Sequence, residues 1–232
     1  MKSYIKHLLL VAVLIALAVP GRCEVFSLWP NSGKGGSGNA ETALNPKNIW
    51  SEPVTINDVK LELNIGLIDM NAEDLVTMLV KLFPNAKYAT NSNSMLVIIK
   101  QDDGSEKRLL LVSLGENTPV IQFSMTVPAK FPENFSWPSC LPLPVDSTPV
   151  KYMYFSKRNA YYGEFKTGVN PSLGLEEIAG KLNHEGWTAT VKRNGGDRET
   201  TGEIFMKTKP MSVMLVNFDK NGSGFVFTRP LK

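Results

Sequence analysis

Cysteine and histidine are nearly missing from this 232-residue chain, which holds only Cys23, Cys140, His7 and His184. Two cysteines cannot build a disulfide framework, so the fold must rest on a packed core. Several His or Cys ligands are needed for a zinc site, and they are not supplied. Nucleophilic catalysis usually sets a base, most often His, beside the nucleophile. His7 lies in the amino-terminal apolar segment, which leaves His184 at the end of an expected helix, where a partly cationic ring suits the helix dipole. A Cys140–His184 pair is the only such combination, and Cys140 sits among prolines with no activating neighbour.

An excess of charge is also lacking. The net charge of +3 comes from Lys2, Lys6 and Arg22, and the first 23 residues carry no acid. That segment reads as a signal peptide, with a basic start, an apolar run from Leu8 to Val19 and small residues after it. Twelve apolar residues fall short of the roughly 20 that span a bilayer. The remaining chain is then neutral, without the basic footprint of a nucleic-acid binder or an attraction to anionic membranes. The expectation is an exported protein, periplasmic or extracellular, with no transmembrane segment in the mature chain. A lipid anchor at Cys23 is the less favoured alternative, since Arg22 and Pro20 fit a lipidation signal poorly.

Residues 24–50 read as a flexible leader around Asn31-Ser-Gly-Lys-Gly-Gly-Ser-Gly-Asn39. The glycines have the wrong spacing for a phosphate loop, and no strand precedes them. Residues 130–149 hold five prolines, which forbid a helix or a central strand. Phe131, Phe135, Trp137, Leu141 and Leu143 in the same stretch predict a connector lying on one or both flanking units.

The two flanks, 51–129 and 150–232, look alike. In the first, Asn71 caps a helix whose apolar stripe is Ala72, Leu75, Val76, Leu79, Leu82 and Phe83, and Pro84 stops it. In the second the stripe is Leu175, Ile178, Ala179 and Leu182, with Glu176 and Glu177 read as early and Gly186 as the terminator. The first helix is expected to be about one turn the longer. Three apolar runs follow each helix, separated by Asp102-Asp-Gly-Ser105, Gly115-Glu-Asn117, Asn194-Gly-Gly-Asp197 and Asn221-Gly222. Before the helices, Val59 to Leu67 alternate strictly, and Ser156-Lys-Arg-Asn159 marks a hairpin. The predicted fold class is α+β, two similar repeats of β(β)-α-β-β-β-β, each an antiparallel sheet with one helix on one face. The other face is left for solvent, the sister unit or a ligand. This order of elements is similar to helix-grip and TATA-binding-protein-like architectures, in topology alone, and topology does not carry function.

Candidate chemistry is sparse. Asp219-Lys-Asn221-Gly-Ser223-Gly224 opens like an EF-hand loop, but Pro230 stands where the closing Glu belongs, and a hairpin turn explains it better. Asp102, Asp103 and Glu106 fall in an expected turn. Glu164 is the acid least explained by its surroundings. Asn134-Phe-Ser136 fits the N-glycosylation pattern. The one unusual concentration is aromatic, with Tyr152, Tyr154, Tyr161 and Phe165 expected on one face of the hairpin as candidate ligand- or partner-binding residues. Filling the core is the plainer use of the same rings. No catalytic residue, cofactor or metal is implied. The reading is a non-enzymatic binding module for a protein or envelope polymer. The alternatives are a carrier of a small apolar ligand, lined by Leu75, Leu79, Ile178 and Leu182, and a carboxylate-dependent hydrolase using Glu164 with a second acid.

Overall fold

A computed structural model describes residues 44, 46–91, 93–115, 119–193 and 200–231, with side chains omitted at 191–193 and 200. The signal peptide, Cys23, most of the leader and the 194–197 and 116–117 turn residues lie outside these. Antiparallel strands dominate, with two α-helices among the described residues. The chain divides into two compact units. The first takes the described residues up to Glu52 with Leu61–Lys130, and the second takes Pro53–Lys60 with Phe131–Lys232.

Unit 1 is built on the hairpin of β1 (Lys47–Ile56) and β2 (Val59–Ile68), whose tip belongs to unit 2. Asn57 and Asp58 turn the chain with both φ angles positive, at 46° and 65°. Tight hairpins require this, and Asn and Asp tolerate it. The last four residues of the segment read as a leader, 47–50, are therefore strand.

Helix α1 (Ala72–Leu82) begins where Asn71 Oδ1 accepts the Asp74 N–H at 2.9 Å and ends before Pro84. Four strands follow: β3 (Lys87–Asn91), β4 (Ser94–Lys100), β5 (Glu106–Ser113) and β6 (Val120–Val127). Their spatial order is β3-β4-β5-β6-β2-β1. Leu75 and Leu79 of α1 pack on Met95, Val97, Leu109, Leu111 and Val120. The Tyr88 hydroxyl lies 2.8 Å from the Phe83 carbonyl and satisfies the helix end, and burial pushes its pKa to about 12.

Unit 2 has β7 (Ser147–Phe155), β8 (Ala160–Thr167), α2 (Pro171–His184), β9 (Thr188–Arg193), β10 (Thr200–Thr208), β11 (Met211–Asp219) and β12 (Ser223–Pro230). The order is β7-β8-β12-β11-β10-β9, and the tip of β1 pairs with β7, Val54 opposite Phe155 and Ile56 opposite Met153. Helix α2 has 14 residues against 11 in α1, which reverses the expected lengths. Asn170 and Pro171 start it about a turn earlier than the apolar stripe suggests, because Pro is well placed at a first helical position. Glu176 and Glu177 consequently fall in the second turn. Gly186 does adopt the expected left-handed conformation, at φ 83°.

The connector joins unit 2. Phe135, Trp137, Leu141 and Leu143 pack with Ile178 and Leu182 of α2 over Tyr152, Phe165, Val216 and Phe218. The Trp137 ring lies so close to the Gly163 backbone that an added Cβ would collide with it. The reverse faces of the sheets are apolar and buried too, at Leu96, Leu110 and Phe123 in unit 1 and at Met153, Phe155 and Tyr162 in unit 2. Solvent is thus excluded as the occupant at these positions.

Candidate functional site

The four candidate aromatics do share a face. Tyr154 opposes Tyr161, Tyr152 opposes Gly163 and Pro149 opposes Phe165, and the Tyr154 and Tyr161 rings stack at 4.5 Å. That face is the one beneath α2 and the connector, which corrects the picture of an open binding surface. Tyr152 is 6% exposed and Phe165 1%, whereas Tyr154 and Tyr161 are half-buried at the margin of the core. The connector covers the rings because its own apolar side chains need burial, and Gly163 gives Trp137 room.

Tyr152 also serves the hairpin tip. Its hydroxyl donates to Asp58 Oδ1 at 2.5 Å, and its backbone N–H donates to Asn57 Oδ1 at 2.8 Å. Asp58 Oδ2 accepts the Ser136 N–H at 3.0 Å, so one carboxylate ties the tip to both β7 and the connector. The Tyr152 hydrogen bond holds the Asp58 carboxyl below its ordinary range. Burial, with Asp58 adding to it, raises the Tyr152 phenol to about 12.

Five of the acids singled out by sequence have structural partners. Glu164 accepts the Tyr162 hydroxyl at 2.7 Å and lies 3.4 Å from Lys151 Nζ, on the face away from the four aromatics. Asp103 accepts the Ser105 N–H at 2.8 Å. Glu106 pairs with Arg108 at 2.7 Å. Glu177 pairs with Lys181 at 2.7 Å and accepts the Val145 N–H at 3.0 Å. Asp219 accepts the N–H groups of Asn221 and Ser223, which makes it a turn residue. His184 ends α2 and is exposed. Cys140 is a free and exposed thiol, although the adjacent Leu141 is buried. Asn134 is exposed as well. Among the described residues, no group of three or more His, Cys, Asp or Glu could hold a metal ion, and no helix is long and apolar enough to cross a membrane.

Open space lies in unit 1. A cleft of about 720 Å³ runs between the first turns of α1 and the far ends of β3, β4 and β5. Leu75, Met95, Leu111 and Val120 form a buried floor, and the exposed Thr90, Asn91 and Asn93 stand on its rim beside Ser113. Leu114, 69% exposed, adds an apolar edge. Leu75 is the one expected pocket-lining position found there. Leu79, Ile178 and Leu182 are consumed by their cores. A second cleft of about 310 Å³ opens over β2, β5 and β6. Apart from Leu75 in the first, sequence reasoning missed the residues of both, although Gln122, Ser124 and Thr126, at alternate positions of β6, were a legible sign that one face of that strand is polar.

No protein-family model matches the chain, and no curated protein or solved structure matches it at a significant level.

Proposed function

We propose that this chain is an exported, non-enzymatic binding module made of two copies of one ββαββββ unit, and that unit 1 takes an extended segment of a protein partner in the larger cleft. The cleft carries this reading. Its 720 Å³ falls within the roughly 300–1,000 Å³ typical of ligand sites. An apolar floor can take a partner's side chain, while neutral Asn, Thr and Ser groups can meet the donors and acceptors of its backbone. The short β3 is the outermost strand of its unit, which leaves a sheet edge beside the cleft. The repeat is supported by the two strand orders, β1-β2-β6-β5-β4-β3 and β7-β8-β12-β11-β10-β9. The non-enzymatic reading is supported by the structural engagement of Glu164, Asp103, Glu177 and Asp219. Export rests on the amino-terminal sequence.

The same floor favours a second reading, a carrier of a small apolar ligand. One comparison tests both. Mature protein and a Thr90→Trp variant, whose indole would fill the cleft from an exposed strand position, are used to capture partners from envelope extract and are weighed by native mass spectrometry. The module reading expects a protein captured by the wild type and lost by Thr90→Trp, with no lipid retained. A retained lipid lost in the variant selects the carrier. Capture indifferent to Thr90→Trp, or no partner at all, refutes the module.

A further inference from the structure

The second cleft of unit 1 lies where a helix-covered sheet should be apolar. On the helix side, the row Leu111, Gln122 and Gly66 runs across β5, β6 and β2, followed by Leu109, Ser124 and Asn64, with Lys107 and Thr126 paired beyond. Helix α1 packs on Leu109, Leu111 and Val120. The polar remainder lines an open cleft of about 310 Å³, with Glu62 at its mouth. One wall is fixed by Pro46, which passes so close to Gly66 that an added Cβ would sit 2.8 Å from the Pro46 Cβ.

The floor of this cleft is unfinished. Gln122 is 5% exposed, and its buried side-chain oxygen has no hydrogen-bond partner. Buried polar groups are nearly always paired, and an orphan costs free energy. Ser124 is buried beside it, while Glu62 and Thr126 are exposed, so polarity continues from floor to mouth. Asn64 is already oriented, since its Oδ1 accepts the Ser51 hydroxyl at 2.8 Å.

We propose that this cleft binds a small, neutral, polyhydroxylated molecule, a single sugar ring or its like, with a ligand hydroxyl completing Gln122. Amides and hydroxyls that both donate and accept match hydroxyls, which do the same. Lys107 and Glu62 carry opposite charges, so the site gives no preference to an anion or a cation. The volume lies at the lower end of the range for ligand sites, which suits one ring. The competing occupant is water. A void of about 30 Å³ adjoins Gln122 and Lys107, enough for an ordered water that would finish Gln122 without any ligand.

The test is saturation-transfer NMR on the mature protein with glucose, galactose and N-acetylglucosamine, each titrated to roughly 50 mM. At least one should bind, and Gln122→Leu should weaken it about tenfold through the lost hydrogen bond. Thr126→Trp, at an exposed strand position that blocks the mouth, should abolish the signal and covers the case in which Gln122→Leu does not fold. Failure of all three sugars to bind the wild type, or binding that survives Thr126→Trp or a folded Gln122→Leu unchanged, overturns the proposal in favour of water. Thr90→Trp, in the other cleft, should leave sugar binding unaltered.

Discussion

Replacing Gly163 by Ala tests how the connector is seated. An added Cβ would meet Leu141 Cδ1 and Trp137 Cζ2 each at 2.8 Å, against the 3.5–4.0 Å or so at which carbon atoms rest together. The Leu141 side chain can turn aside. The indole cannot do so freely, because it is rigid and its Nε1–H donates to the Leu141 carbonyl at 2.8 Å. The connector must therefore lift, and overpacking of this kind costs about 1–3 kcal/mol. Removing a glycine from a strand returns about 0.5–1 kcal/mol, which leaves a net loss of about 1 kcal/mol from the middle of the two ranges. Urea unfolding of wild type, Gly163→Ala, Trp137→Ala and the double variant measures this as a cycle. With Trp137 removed, the Gly163→Ala penalty should largely vanish. A Gly163→Ala protein as stable as wild type, or a penalty undiminished without Trp137, would show that the ring does not rest on this glycine.

Leu79, fully buried on the inner face of α1, should cost about 2–5 kcal/mol when cut to Ala, read as a shift in the urea midpoint. The Asp58–Tyr152 tie has two pH limits. Asp58 is depressed below its ordinary 3.8, so its contribution is complete above that value and lost as pH falls through the lower folded pKa. Tyr152 is raised from 10 to about 12, so its contribution is complete below pH 10 and lost as pH climbs toward 12. The protection factors of the Asn57 and Asp58 amides, with the intrinsic exchange rate at each pH divided out, should therefore fall toward both extremes in wild type and depend less on pH in Tyr152→Phe; wild-type protection constant with pH contradicts it. A spectrophotometric titration should find Tyr88 and Tyr152 ionising near 12, and a normal value for either would deny its burial. Cys140 should be alkylated in the native protein, as peptide mapping would show; protection until unfolding contradicts its exposure.

Local rules carried the sequence reading wherever the cause was local. The Asn71 cap, the stripe ending at Pro84, the strand over Val59 to Leu67 and the turns at Gly104 and Gly222 depend on residues a few positions apart, and all are present. The shared face of Tyr152, Tyr154, Tyr161 and Phe165 follows in the same way from strand alternation across one hairpin. The α2 start was missed although its signal, Asn170-Pro171, was local, because the apolar stripe begins a turn later than the helix. Only the tertiary structure decided what covers a face. Trp137 reaches Gly163 from 26 positions away, and Tyr152 reaches Asp58 across 94. Asn64, Lys107 and Gln122 become one polar cleft only when three strands align. Alternation tells which side chains point together, but whether they meet solvent, a helix or a connector is set by long-range packing that no short window contains.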